Sequence, residues 1–126
     1  MTKYTEAALI VVKRCQANDS LNVMVTWQSV IRELKAYDEA CPRSAFIGLC
    51  EEGLVKGIPA GSYGLRENNK NKGYAVAAAN LILSGHELDH KVIWRKVTDS
   101  NIVPHDQVNI VIALHNAQFL QSREKT

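Results

Sequence analysis

Cysteine is scarce in this sequence: Cys15, Cys41 and Cys50 are the only three, and no two are spaced as C-x-x-C. An odd count without that spacing argues against a disulfide framework and predicts a reducing, cytoplasmic setting. Charge of one sign is lacking too, with a formal net charge of +2 and 22% charged residues. Such a balance neither demands nor excludes a polyanionic partner. Long hydrophobic runs are missing. The apolar stretch Ala7 to Val12 follows Glu6 and ends at Lys13 and Arg14, so it has neither the flanks of a secretion signal nor the length of a membrane span. No membrane partner is expected. Asn18-Asp19-Ser20 matches a glycosylation acceptor, which has no meaning without a secretory route. There is no internal repeat and no low-complexity tract.

What is present is an ordinary globular composition. The 126 residues, 46% of them apolar, predict one domain over 1–126 that needs neither a metal nor a disulfide staple. Apolar periodicity of 3.6 residues predicts helices over 3–17, 22–37, 42–52, 70–84, 90–98 and 104–121. Trp27 is expected as the large core anchor of the second, with Tyr37 on the same face. Leu9 and Ile10 lie off the first stripe, so that helix is contacted from two sides or carries a homodimer contact. Asp89 is the expected N-cap of the fifth helix, and Pro104 the expected start of the sixth. Residues 107–114 are rich in Val and Ile and also admit a strand. Unbroken length favours helix. The fold class is therefore all-α, five to six helices with one long Gly/Pro-containing loop over about 56–69.

The densest signals lie between Cys41 and Gly61. Pro42 stands where a first helical residue belongs. Ala45, Phe46, Leu49 and Cys50 share a face, Gly53 supplies a left-handed stop, and Pro59 prevents smooth resumption. The loop that follows carries Lys56, Tyr63 and Arg66, and Lys70 and Lys72 come directly after it. This is the most basic part of the chain, and a loop of this length is often functional.

Several motifs invite chemistry. His86-Glu87-Leu88-Asp89-His90 fits H-E-x-x-H, in which two histidines one helical turn apart bind zinc and the glutamate is the general base. Gly85 before it and Asp89 as an N-cap speak for an inter-helix turn instead, so His86 and His90 are expected to be ordinary turn residues. Cys41 near a helix start and Arg43 has the setting of a lowered thiol pKa. Its simpler role is a small residue tethering the helix, and Cys50 is expected in the core. Gly57, Gly61 and Gly64 fit neither phosphate-loop pattern. A helix-turn-helix pairing of the second and third helices sets Glu51 and Glu52 outward against phosphate, which is unfavourable. His115 is expected on the apolar face of the last helix and His105 on the surface.

The run Cys41-Pro42-Arg43-Ser44-Ala45-Phe46-Ile47-Gly48-Leu49-Cys50-Glu51-Glu52-Gly53-Leu54-Val55-Lys56-Gly57-Ile58-Pro59, with Asn71-Lys72-Gly73-Tyr74-Ala75 and Trp94, resembles a family of small bacterial proteins of unknown function. The likeness covers about residues 22 to 97. It implies a bacterial, cytoplasmic, mostly helical domain and transfers no catalytic residue.

The resulting expectation is a non-catalytic helical binding module, with no cofactor, working through Lys56, Tyr63, Arg66, Lys70 and Lys72 on an unidentified protein. The alternative is a nucleic-acid binder using the same loop. A third reading is an enzyme, zinc-dependent at His86, Glu87 and His90 or thiol-dependent at Cys41.

Overall fold

Six helices, α1 (Lys3–Ala17), α2 (Val23–Glu33), α3 (Ala40–Glu51), α4 (Lys70–Leu83), α5 (His90–Val97) and α6 (Gln107–Asn116), make up the regular structure of the described residues. This is a computed structural model, and it describes residues 2–85, 89–98 and 102–122. The all-α class holds, and residues 107–114 are helical.

The third helix is the axis of the fold. Ala45, Phe46, Ile47, Leu49 and Cys50 are each 0% exposed, so α3 is covered on all sides rather than along one stripe. It packs most extensively against α4, and α2 and α6 also touch it. Gly48 makes the α3–α4 approach close. A Cβ there would stand 2.5 Å from Lys72 Cγ and 2.9 Å from Lys72 Cα. The small side chains Ala75, Ala78 and Ala79 of α4 are all buried. Trp27 is the anchor of α2, fully buried and stacked on Phe46 at 5.2 Å. Its indole N–H is satisfied by donating to Asp38 Oδ1 at 3.2 Å.

Helix ends account for the differences from the sequence reading. α1 spans 3–17 as expected, and Thr2 and Thr5 close its start with a reciprocal capping box. α2 stops at Glu33, short of 37. Lys35 takes φ 56°, and its neighbour Ala36 donates to the Ile31 carbonyl at 3.1 Å. That is a left-handed helix stop made with a lysine where glycine is usual. The chain then turns away, and Tyr37, expected inward, is 85% exposed. α3 starts at Ala40, so Pro42 sits in its first turn but not at its first residue. Gly53 stops it as expected, with φ 74° and a Leu54 N–H bond to the Leu49 carbonyl at 3.0 Å.

α6 is shorter than 104–121 at both ends. Asp106 with φ 69° precedes it, and Gln118 with φ 64° follows it. Pro104 therefore lies outside the helix. The chain beyond Gln118 returns to Val55, where Lys56 N–H reaches the Phe119 carbonyl and Gln121 N–H reaches the Leu54 carbonyl, each at 2.8 Å. The buried face of α6 includes Ile110 and Leu114, while His115 is only half-buried. Leu9 and Ile10 of α1 pack half-buried against the core of the same chain.

Candidate functional site

Segment 56–69 has no helix or strand of its own, yet its backbone is tied down along its length. Glu51, the last residue of α3, does most of this. Its backbone carbonyl accepts from Gly61 N–H at 3.1 Å. Its carboxylate Oε2 accepts from Tyr63 N–H at 2.7 Å and from Leu65 N–H at 3.3 Å. Its Oε1 accepts from the Lys72 ammonium at 2.8 Å, and Glu52 Oε2 lies 3.3 Å from the same ammonium. Glu51 is 8% exposed. A carboxylate so far from water has to be paired and hydrogen-bonded, and here one cation and two N–H groups do so.

Electrostatics follow from that geometry. Burial pushes the Glu51 carboxyl up. The Lys72 ammonium and the Tyr63 and Leu65 N–H groups outweigh it and hold the carboxyl below its ordinary value. Burial pulls Lys72 down, and the two glutamates outweigh that and raise it. Gly48 is part of the same arrangement, because the space its missing side chain leaves is filled by the Lys72 stem.

Both ends of the segment are fastened as well. Gln16 Nε2 donates to the Lys56 carbonyl at 2.9 Å. Asn69 caps α4 through its side chain, which also donates to Ser44 Oγ at 3.2 Å. Tyr63 is half-buried, and its hydroxyl donates to the Pro59 carbonyl.

The five residues expected to bind therefore divide. Lys56, Arg66 and Lys70 are exposed on the segment and on the first turn of α4. Tyr63 is partly built into the fold, and Lys72 is engaged with Glu51 and Glu52. Sequence reasoning missed Glu51. It was read as an outward acid, and its partner is 21 positions away, a separation that no helical period marks.

Of the other sequence candidates, His86 and Glu87 lie outside the described residues. His90 is the first residue of α5 and is exposed. Asp89 before it is extended and caps the helix by accepting from Lys91 and Val92 N–H. Among the described residues no group of three or more His, Cys, Asp or Glu side chains is arranged to hold a metal ion. Cys15 and Cys50 are buried and free, and burial pushes both thiols up. Cys41 is free and half-buried in the first turn of α3.

A second feature lies on the α5 side of the molecule. A cleft of about 620 Å³ opens between α5 and the approach to α6, with Trp94, Val108, His90 and His105 among its lining. His90, read from the sequence as a turn residue, and His105, read as a surface residue, both belong to its lining.

These features define an all-α protein with one internally braced irregular segment. The chain belongs to a family of unknown function (DUF6979), whose model matches residues 1–121. The match extends well beyond the 22–97 over which the sequence likeness was read. No curated protein and no solved structure matches the chain.

Proposed function

We propose that the chain is a non-catalytic binding module whose working face is segment 56–72, and that its partner is an acidic surface of another protein. One observation carries this reading. The Glu51 carboxylate holds the segment backbone at Tyr63 and Leu65 while taking Lys72 from the surface. A segment fixed before binding loses little conformational freedom on association. Lys56, Arg66 and Lys70 are then presented as exposed cations on a rigid frame.

The same observation ranks protein above nucleic acid. With Lys72 held internally, three exposed cations remain, and Glu67 stands beside Arg66. Three phosphate contacts give a salt slope of only about −2.7 and weak binding at physiological salt. A bacterial, cytoplasmic setting is part of this proposal and rests on the likeness of the Cys41–Pro59 run and on the free cysteines.

The test is affinity capture from a host lysate with wild type and with the triple variant Lys56→Glu, Arg66→Glu, Lys70→Glu. The expected result is a set of proteins retained by wild type and lost by the variant, with the melting temperature unchanged. Identical retention by both removes the working face from segment 56–72.

A further inference from the structure

We propose that the cleft between α5 and α6 is a second binding site, built for a peptide-like zwitterion: a free amino acid or short peptide with both charged ends exposed. The site is independent of segment 56–72. Its volume of about 620 Å³ falls among small-molecule sites, which span about 300–1,000 Å³.

The lining carries the argument. Its apolar part includes Trp94 at 7% exposure and Val108 at 3%. The Trp94 ring is fixed on two sides. Its indole N–H donates to the Ile102 carbonyl at 2.9 Å, and the Tyr74 ring meets it edge-on with centroids 5.3 Å apart. A ring already held in place adds apolar contact at little ordering cost.

The charges are sorted by element. α5 contributes Lys91 and Arg95, while the residues preceding α3 and α6 contribute Glu39 and Asp106. Asp106 does not cap α6 with its carboxylate, which accepts instead from Asn109 Nδ2 at 3.0 Å. Among the described residues Arg95 makes no ion pair. A simple anion would match Lys91 and Arg95 but lie near two carboxylates, and a simple cation would meet the reverse. A molecule bearing both charges is complementary to both groups at once.

The test uses the full chain at pH 7.5. Phenylalanine and the dipeptide leucyl-phenylalanine are titrated by calorimetry and by amide and indole NMR. The N-acetyl and C-terminal amide forms of the dipeptide are titrated beside them. At least one of the two zwitterions is expected to bind with Kd below about 1 mM, shifting the Trp94 indole resonance. Capping either end is expected to weaken dipeptide binding about tenfold or more, as are Arg95→Gln and Asp106→Asn. Asparagine tolerates the left-handed backbone at that position, and a melting temperature equal to wild type confirms that each variant is folded. No Trp94 shift with either zwitterion overturns the proposal. So does an acetylated or amidated dipeptide that binds as well as the free one, which would make the cleft a site for a simple anion or a simple cation. Wild-type binding by the Arg95 and Asp106 variants overturns it as well. None of these outcomes bears on segment 56–72.

Discussion

Glu51 shows how much one side chain can organise when its surroundings leave it no water. Removing its cation is the harshest change, because a buried carboxylate without its partner is strongly unfavourable. Lys72→Met is expected to cost about 3 kcal/mol, read as a lower urea midpoint. Glu51→Gln is milder, about 1–2 kcal/mol, since the amide oxygen still accepts from the loop and Lys72 still reaches Glu52. The pH dependence follows from the direction of the shifts. The folded Glu51 carboxyl lies below its ordinary value, so its contribution is present above that value and is lost as pH falls through the folded one. Lys72 is raised when folded, so its contribution persists at lower pH and disappears as pH rises through its elevated value. Urea midpoints from neutral pH downward should therefore fall more steeply for wild type than for Glu51→Gln. Nothing in the sequence marked this pair. Both residues read as surface charges, and only the fold brings a glutamate ending one helix to a lysine in the first turn of the next.

At the scale of the element, apolar period and cap chemistry were legible, while unusual helix stops were not. α1 was readable from its apolar spacing and the start of α5 from its Asp89 cap, because both signals act locally. α2 and α6 were overextended because their ends use lysine, aspartate and glutamine in left-handed conformations. These residues carry no stop signal in a sequence. Such a backbone is strained for a residue with a Cβ, so Lys35→Gly is expected to stabilise by about 0.5–1 kcal/mol, seen as a raised melting temperature. Gly48 presents the opposite case. Alanine there gains helix propensity of up to about 1 kcal/mol, but its Cβ would meet the Lys72 stem and backbone. Overpacking of this kind costs about 1–3 kcal/mol, so Gly48→Ala is expected to destabilise. A rise in its melting temperature would show that α3 and α4 separate readily.

For the whole molecule, composition and period were enough to give an all-α class, and they could not give a working surface. The basic stretch read from sequence is thinned by the fold, which turns Lys72 inward. Among the described residues no helix is long and apolar enough to cross a membrane. With a net charge of +2 and few exposed cations on the segment, duplex DNA is expected to bind no tighter than about 10⁻⁴ M at physiological salt. Fluorescence anisotropy with a labelled duplex checks this, and much tighter binding would favour the nucleic-acid alternative. The central claim is that the Glu51–Lys72 pair holds segment 56–69 in one shape. Amide hydrogen exchange at Tyr63 and Leu65 tests it most directly. In wild type these two N–H groups should be protected well above their exposed neighbours. In Lys72→Met they should lose that protection by more than the variant's global loss of stability accounts for. Fast exchange at both amides in wild type, or protection that falls in Lys72→Met only as far as global stability does, would contradict it.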